Sequence, residues 1–270
     1  MRAAVLVCAA VLAACSSGRA GRRAAPGGSA SPWPSPSALP AAPGQGGPIL
    51  VELFTSQGCS SCPAADHLLT LLGRDPAYAG QVIPLAFHVD YWNYIGWRDP
   101  FSQATWTARQ RRYVDGFGER RIYTPQLVVN GEAHAVGSDQ SAAFTLMDET
   151  AARGQRTTFR LAARESAGSI AVTLDASAPA GAPALDLYVA IAQNDLETKV
   201  SRGENQGRIL RNDHIVRRLV RAGSARAGAT THLELDLEID RLWGRGALEV
   251  VAFAQDPATM RVHGVAQVKP

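Results

Sequence analysis

Two cysteines three positions apart, Cys59 and Cys62, are the residues of this 270-residue chain best suited to carry out chemistry. The reactive species in thiol–disulfide exchange is the thiolate, and the free N–H groups at the start of a helix stabilise negative charge. The turn residues before Cys59 and the leucines after Pro63 place the pair at such a helix start. We therefore predict that Cys59 lies exposed there and exchanges with a substrate, and that Cys62 resolves the mixed disulfide.

The segments around the pair predict a strand, a redox turn and a helix. An apolar run over 49–54 predicts a buried strand, and Gly73 predicts the end of the helix. A second apolar run, over 82–90, predicts a parallel strand reached through a right-handed crossover. The carboxyl ends of both strands then share one edge of the sheet, where such sheets bind ligands. The predicted substrate-binding side chains at that edge are His88, Asp90, Tyr91, Trp92 and Trp97.

The segment 91–101 is rich in aromatic residues and has two interpretations. Its rings could form an apolar rim that holds a substrate protein or shields the disulfide. They could equally cap the core from a loop. The sequence leaves both interpretations open.

The rest of the first half predicts a thioredoxin-like α/β domain over residues 48–155. A helix follows Ser102 to about residue 115, a hairpin turns at Asn130–Gly131, and a helix runs from 138 to about 153. The resulting order βαβαββα is that of the thioredoxin fold. Thr124 and Pro125 come immediately before the hairpin, where that fold has a cis-proline against its cysteine turn, so we predict a substrate contact for Thr124 and a catalytic role for Pro125. A proline at the first position of a strand is also tolerated for ordinary reasons.

From residue 157 onward, apolar and polar residues alternate at period two, which predicts a second, all-β sandwich-like domain over residues 156–270. A long polar connection, residues 204–218, separates the third and fourth of its strands and could pack on the first domain. The six predicted strands begin at Phe159, Ile170, Leu185, His232, Leu248 and Val262.

Residues 1–14 predict a signal peptide, because Arg2 precedes an apolar run that is too short to span a bilayer. The run ends in Leu-Ala-Ala-Cys15, which resembles the lipobox of bacterial lipoproteins and implies cleavage before Cys15 and lipidation of that residue. Residues 15–47 would then hold the anchor site and a disordered Pro/Ser/Gly/Ala linker. The expected location is extracytoplasmic, in the periplasm or at the cell surface, with a lipid anchor in a membrane. The alternative is an ordinary signal peptide with an incidental cysteine.

The number of cysteines supports a redox role for the pair. Cys8 leaves with the signal and Cys15 becomes the anchor, so the mature domain keeps Cys59 and Cys62 alone. A disulfide that closes so short a loop removes little conformational entropy from the unfolded chain and therefore stabilises the fold only weakly. Redox function is the better reason for such a pair outside the cytoplasm. The net charge is +3 and the basic residues are spread along the chain, so no nucleic-acid partner is expected.

Five stretches of the sequence resemble a family of secreted bacterial thioredoxin-like proteins known only as a domain of unknown function, DUF1223. The resemblance implies a thioredoxin-like fold and supplies no substrate. Relative to thioredoxin itself, Gly58 replaces the tryptophan before the first cysteine, and two serines replace Gly-Pro between the cysteines. The stretches cover both halves of the mature chain and comprise residues 51–63, 87–92, 96–101, 123–131 and 205–217.

Thioredoxins carry a buried acid on the strand before their cysteines, and Glu52 is similarly placed in this sequence. The resemblance implies that Glu52 accepts the proton of Cys62, since a buried carboxyl can have a raised pKa. The alternative is an exposed glutamate at the end of the strand.

The predicted function is that of a membrane-tethered, extracytoplasmic thiol–disulfide oxidoreductase that acts on protein or small thiol substrates and needs no cofactor or metal. Its predicted partners are a thiol- or disulfide-containing protein and the membrane. Two other functions stay open. The cysteines could bind copper or zinc together with His67, His88 or His134, or the chain could be a binding lipoprotein without redox turnover.

Overall fold

The computed structural model describes residues 46–154, 156–243 and 247–270, which belong to one compact unit. The predicted signal peptide, Cys15 and the linker as far as residue 45 lie outside these residues. Within the described ranges, every helix is too short or too polar to cross a membrane.

The described residues form three α-helices and thirteen β-strands. The helices are α1 (Cys62–Arg74), α2 (Ala104–Gly116) and α3 (Gln140–Ala151). The strands of the first half are β1 (Ile49–Thr55), β2 (Val82–His88), β3 (Gln126–Val129) and β4 (Ala133–Val136). Those of the second half are β5 (Thr158–Ser166), β6 (Ser169–Ser177), β7 (Leu185–Gln193), β8 (Leu196–Lys199), β9 (Ile209–Asn212), β10 (Ile215–Ala225), β11 (Thr230–Glu238), β12 (Leu248–Gln255) and β13 (Val262–Val268).

Most elements that local patterns predict are present. The six strands with period-two alternation correspond to β5, β6, β7, β11, β12 and β13. β3 and β4 form the hairpin expected at Asn130–Gly131, where both residues have a positive φ, of 45° and 64°. The patterns do not predict β8, β9 or β10, which lie within and beside the polar connection.

The predicted α/β thioredoxin-like domain followed by an all-β sandwich-like domain is wrong, because strands from both halves share one large mixed sheet and the protein is mostly β. The order of the eight strands is β13-β12-β7-β10-β2-β1-β3-β4. At the junction, Ile215 of β10 pairs in parallel with Ala86 of β2. Periodicity in a sequence shows which residues face a core, but not which strand edge receives a partner. The boundary predicted between residues 155 and 156 follows α3 and stays a prediction.

The large sheet is covered on both faces where it carries the cysteine pair. Leu50 and Phe54 of β1 face a core that contains side chains of α2, β12 and β13. Val51 and Leu53 face the opposite side, where they pack against α1 and α3. This alternation follows from the two-residue period of a strand. It decides which side chains of β1 can reach α1.

A three-stranded sheet in the order β11-β6-β5 packs on the second half of the large sheet. Its Ile170 and Val172 share a cluster with Ile191 of β7 and Val250 of β12. β8 and β9 pair with each other, as a two-stranded hairpin between β7 and β10. We call residues 195–213, which include this hairpin, the arm. The arm lies beside α1 and reaches the cysteine turn, residues 56–61.

Candidate redox site

Cys59 and Cys62 are bonded to each other as a disulfide, with their Cα atoms 5.4 Å apart. Cys62 is the first residue of α1, and Pro63 follows in the first turn, where a helix does not need its missing N–H. Cys59 lies in the turn after β1. Its N–H donates to the Ser56 carbonyl at 3.1 Å, and the N–H of Cys62 donates to the Cys59 carbonyl at 3.3 Å. The pair therefore lies at the start of a helix.

The disulfide is buried, so the prediction that Cys59 is exposed is wrong. Cys59 is 1% exposed and Cys62 is 0% exposed, although the two serines between them are exposed. The sequence predicts exposure because helix starts that follow a strand usually face solvent. Here a segment almost 150 positions away, the arm, covers the turn. A local pattern cannot show a cover that is so distant in the chain.

Two side chains of the arm bond to the backbone of the cysteine turn. Asn205 is completely buried, and its Nδ2 donates to the carbonyl oxygens of Gln57 and Cys59, both at 2.9 Å. Glu204 Oε2 accepts the N–H of Ser60 at 2.9 Å. Hydrogen bonds from Ser60 hold the pKa of Glu204 below its usual range. The Glu204 carboxylate thus occupies the N–H of Ser60 beside the helix start. A thiolate of Cys59 would be stabilised in the same region.

The predicted aromatic loop lies between the cysteine turn and the arm. A Cβ added to Gly58 would lie 3.1 Å from Trp92 Cβ, and one added to Gly203 of the arm would lie 3.4 Å from Trp97 Cβ. Both rings are half-buried, and Trp92 Nε1 donates to Thr124 Oγ1 at 2.7 Å. The structure therefore brings Trp92, Trp97 and Thr124 together at the turn. Their role in substrate binding stays a prediction.

Two of the other predicted substrate-binding residues contact α2 or the core instead. Asp90 Oδ1 accepts the hydroxyl of Thr107, on α2, at 2.6 Å. Tyr91 packs against the core, and burial raises its pKa to about 12. His88 ends β2 and is completely buried, so the closed structure offers it no contact with a substrate at the surface.

Pro125 follows a cis peptide bond and immediately precedes β3. Gln126, the first residue of β3, pairs with Phe54 near the end of β1. Because β1 leads into the cysteine turn, Pro125 lies at the same edge of the sheet as the turn. Its predicted catalytic role stays a prediction.

The structure does not bring Glu52 to Cys62. Glu52 lies on the face of β1 that looks away from α1, because it alternates with Val51 and Leu53. It is 0% exposed, so it is not an exposed strand-end residue either. Its carboxylate accepts hydrogen bonds from Arg109 Nε, at 2.7 Å, and from the hydroxyl of Tyr113. Arg109 is 57 positions away in the chain, which is why the sequence does not reveal this buried ion pair.

A buried polar network under the cysteine turn combines His88 with Thr55, Asp66 and Asp99, three residues that the sequence patterns do not single out. Asp66 lies on α1, one helical turn after Cys62, and its Oδ1 accepts the hydroxyl of Thr55 at 2.7 Å. His88 Nδ1 lies 2.7 Å from Asp99 Oδ2, and both side chains are buried. The four-residue spacing from Cys62 to Asp66 is a signal that could have been used, because such residues share a helix face.

The groups of this network titrate differently. Burial raises the pKa of Asp66 to about 6, although His88 and the Thr55 hydroxyl oppose the shift. Burial also disfavours the charged form of Asp99, but His88 and backbone N–H donors, including Gln57, outweigh burial and lower its pKa. For His88, burial acts to lower the pKa, and the Asp99 carboxylate outweighs it and raises the pKa. Of the two carboxyl groups in this network, Asp66 has a raised pKa and Asp99 a lowered one.

A cleft of about 600 Å³ separates α1 from the arm. Pro63 and Asp66 line it from α1, and Arg208 and Leu210 line it from the arm. Beyond them, Arg74 Nε donates to Asp213 Oδ2 at 3.2 Å and ties the base of the arm to α1. The cleft therefore connects solvent to Asp66.

Of the histidines considered as metal ligands, His88 is bonded to Asp99, and the other two lie on different elements. His67 lies on α1 beside the cleft, and His134 of β4 bonds to the Tyr123 hydroxyl at 2.8 Å. Among the residues that the structure describes, no three histidine, cysteine, aspartate or glutamate side chains form a group that could hold a metal ion.

The fold and the site define a mixed-sheet protein with a covered cysteine pair at a helix start. The chain belongs to the family described as "Protein of unknown function (DUF1223)", which it matches over residues 50–255. The sequence resemblance to this family is thereby confirmed, whereas its thioredoxin-like fold and the lipoprotein signal are not. A comparison with curated proteins finds no match.

Two solved structures are similar to this chain over most of its length. A crystal structure of a protein from Agrobacterium tumefaciens is 25% identical with a TM-score of 0.63, and the match covers 83% of this chain and 96% of that one. HBP35 of Porphyromonas gingivalis is 14% identical with a TM-score of 0.58, over 84% of this chain and 76% of that one. The likeness to HBP35 shows the fold alone.

Proposed function

We propose that the chain is a thiol–disulfide oxidoreductase that works through Cys59 and Cys62. One observation carries the proposal: residues 46–270 contain these two cysteines and no other, and the two are bonded to each other at the start of α1. A disulfide that closes so short a loop restrains the unfolded chain little, so stability is a weak reason for it. The N–H groups at the start of α1 favour the thiolate that disulfide exchange needs.

In the reducing direction, the thiolate of Cys59 attacks a substrate disulfide. A bond forms between Cys59 Sγ and one substrate sulfur, and the other substrate sulfur leaves as a thiolate. Cys62 then attacks Cys59 Sγ, the second substrate thiolate leaves, and the pair is again a disulfide. The substrate gains two electrons and the pair loses two. Cys59 is the assigned nucleophile because it precedes the helix beside the exposed Ser60 and Ser61, whereas Cys62 lies inside the first turn.

Because the pair is covered, the arm has to move before either sulfur reacts. Glu204 and Asn205 together make three hydrogen bonds to the turn. Each contributes roughly 0.5–1.5 kcal/mol net, so opening costs roughly 1.5–4.5 kcal/mol in these bonds. Local openings of this size are populated in folded proteins and are ordinary for segments that admit a ligand.

The test is turnover of a peptide disulfide by the wild type, Cys59→Ser and Cys62→Ser, with a dithiol as the reductant. We expect Cys59→Ser to turn over at the uncatalysed rate. Cys62→Ser should also stop turning over, but it should retain the substrate as a mixed disulfide on Cys59, visible as a mass increase. Equal turnover by the wild type and Cys59→Ser would reject the proposal.

We also propose that this chemistry takes place outside the cytoplasm, with the protein tethered through Cys15. The support is the sequence alone: an apolar leader that ends in Leu-Ala-Ala-Cys15. Recovery of the wild type in the membrane fraction, and of Cys15→Ser in the soluble fraction, is the expected result. Equal membrane recovery of both would contradict the lipid anchor.

A binding protein without redox turnover is the second candidate, and the burial of Cys59, 1% exposed, favours it. In such a protein the disulfide would only fix the cysteine turn beneath the arm. The reduction potential separates the two candidates, because structural disulfides in secreted proteins lie below about −300 mV. A potential above about −230 mV favours exchange with other thiols, whereas one below about −300 mV favours the binding protein.

A further inference from the structure

Asp66 is placed on the same face of α1 as Cys62. The two residues are four positions apart, which brings the Cβ atoms of helical neighbours to roughly 5–6 Å. Side chains of a helix lean towards its N-terminus, and Asp66 Oδ1 accepts the hydroxyl of Thr55 directly before the cysteine turn, so the carboxylate lies towards that turn. Asp66 is 6% exposed and Cys62 is 0% exposed, so both side chains are largely shielded from bulk water.

Asp66 differs from the other buried carboxylates in its partner. Glu52 is paired with Arg109, Asp213 with Arg74, Asp99 with His88 and Glu249 with His214. The hydrogen bonds to Asp66 come from neutral groups, the hydroxyl of Thr55 and the side chain of Asn212 on the arm. Burial without a bonded cation raises the pKa of a carboxyl, so that it can take up a proton near neutral pH. The pKa of Asp66, about 6, agrees with that environment.

Solvent reaches Asp66 through the cleft between α1 and the arm. A proton that Asp66 takes from the interior can therefore leave to bulk water without crossing the disulfide. Exchange with solvent is required of a general base that works in repeated turnovers. Glu52 has no such route, since it is enclosed by Arg109 and Tyr113 on the other face of the sheet.

Several charged groups lie around Asp66, and two of them contribute to its titration. From the sheet side these are His88, which lowers its pKa, and Asp99, which raises it. On its own helix, His67 and Arg74 line the same cleft. The arm contributes three carboxylate–arginine contacts at the cleft, Asp195 and Asp213 with Arg74 and Glu197 with Arg211, together with Arg208. Variants of Asp66 are therefore best compared with a variant of a distant carboxyl group, in which all of these charged groups are also retained.

We propose that Asp66 is the proton acceptor for Cys62 when the mixed disulfide on Cys59 is resolved. The thiol of Cys62 gives its proton to the Asp66 carboxylate, and its sulfur forms a bond with Cys59 Sγ. The bond between Cys59 Sγ and the substrate sulfur breaks, and the substrate leaves as a thiolate with the electron pair. Asp66 returns the proton to water in the cleft. This inference rests on the proposed oxidoreductase function and names a residue for its resolving step.

The experiment measures the resolving step alone. Reduced full-length protein is mixed with one equivalent of dithiobis-nitrobenzoate, which forms a mixed disulfide on Cys59 and releases one equivalent of the coloured nitrothiobenzoate anion. The rate at which Cys62 expels the second nitrothiobenzoate is followed by absorbance across about pH 5 to 9. In the wild type this rate should rise with pH through the pKa of Asp66, about 6, and then level off.

Asp66→Asn removes the acceptor and keeps the shape of the side chain. We expect its rate at neutral pH to fall on the order of 100-fold, the low end of general-base effects. The inflection near pH 6 should vanish, and the rate should climb towards the ordinary thiol pKa of about 8.5. Asp148→Asn, an exposed carboxyl of α3, is the matched control and should keep the wild-type profile.

A second variant keeps the proposal testable if Asp66→Asn does not fold. Thr55→Val removes the hydroxyl that lowers the pKa of Asp66, so the inflection should move to higher pH. A wild-type rate and inflection in Asp66→Asn, or an unmoved inflection in Thr55→Val, would overturn the assignment while leaving the oxidoreductase intact. A wild type that expels no second nitrothiobenzoate would instead reject the proposed function itself.

Discussion

Removing the side chain of Asn205 should make the Cys59–Cys62 disulfide easier to reduce. Asn205 is completely buried, and its amide donates to two carbonyl oxygens of the cysteine turn. Arg208 Nη1 donates to Asn205 Oδ1 at 2.8 Å and so fixes which way the amide points. Asn205 is therefore the side chain that most directly holds the arm over the disulfide.

The size of the effect follows from the two hydrogen bonds. Each contributes roughly 0.5–1.5 kcal/mol net, so Asn205→Ala removes roughly 1–3 kcal/mol from the closed state. Because 1.4 kcal/mol corresponds to a factor of ten, the open fraction should rise about 5- to 150-fold. If opening is fast and precedes reduction, the observed rate of reduction should rise by the same factor.

The assay follows reduction by a water-soluble phosphine, which attacks sulfur without needing a thiolate partner. Samples are quenched with a maleimide at intervals, and the labelled fraction is read by mass spectrometry. Gln206→Ala is the matched control, since Gln206 is the exposed neighbour of Asn205 and should leave the rate unchanged. An Asn205→Ala rate within about twofold of the wild type, well below the estimate from its hydrogen bonds, would refute the idea that the arm limits access.

Two further predictions concern stability. Arg109→Met should lower the free energy of unfolding in urea by roughly 3–5 kcal/mol, because it leaves the Glu52 carboxylate buried without its cation. A loss of stability below about 1 kcal/mol would contradict the buried ion pair. The folded-state pKa of Asp66, about 6, lies above its usual value of 3.8, so this carboxyl stabilises the fold below about pH 4 and loses that effect as pH rises through about 6. The free energy of unfolding should therefore be roughly 3 kcal/mol smaller at pH 7 than at pH 4 on account of this group. Urea unfolding at the two pH values should show this loss in the wild type but not in Asp66→Asn. Stability profiles that run parallel in the two proteins would contradict the raised pKa of Asp66.

Local elements were predictable from the sequence because their signals are local. The apolar run of β1, the cysteine turn and α1 follow one another without a gap, and the hairpin at Asn130–Gly131 has the residues that positive φ angles favour. The period-two strands were equally visible, since alternate residues face a core.

The assembly of these elements was not predictable in the same way. Whether the edge of β2 is free or receives β10 depends on a pairing between residues 86 and 215, which no window of sequence contains. The polar residues 204–218 concealed β9 and the start of β10, because strands with mixed polarity lack the alternation that identifies a strand.

The candidate site shows the same division. The position of Cys62 at a helix start followed from its neighbours, but the cover by Glu204 and Asn205 did not. Glu52 was a candidate proton acceptor because it precedes the cysteines on β1. Its side chain lies on the opposite face of the strand and pairs with Arg109 instead. The helical spacing from Cys62 to Asp66 was visible in the sequence, although only the structure shows that Asp66 is buried beside a cleft.

The core beneath β1 and β2 has a consequence for how the gene can vary. Phe54 and Phe87 of the first half pack in the same cluster as Val251, Phe253 and Val265 of the second half. A recombination event that replaced one half with that of a distant relative would leave these rings against mismatched neighbours or in water. We therefore expect the two halves to be inherited together and to melt in a single calorimetric transition.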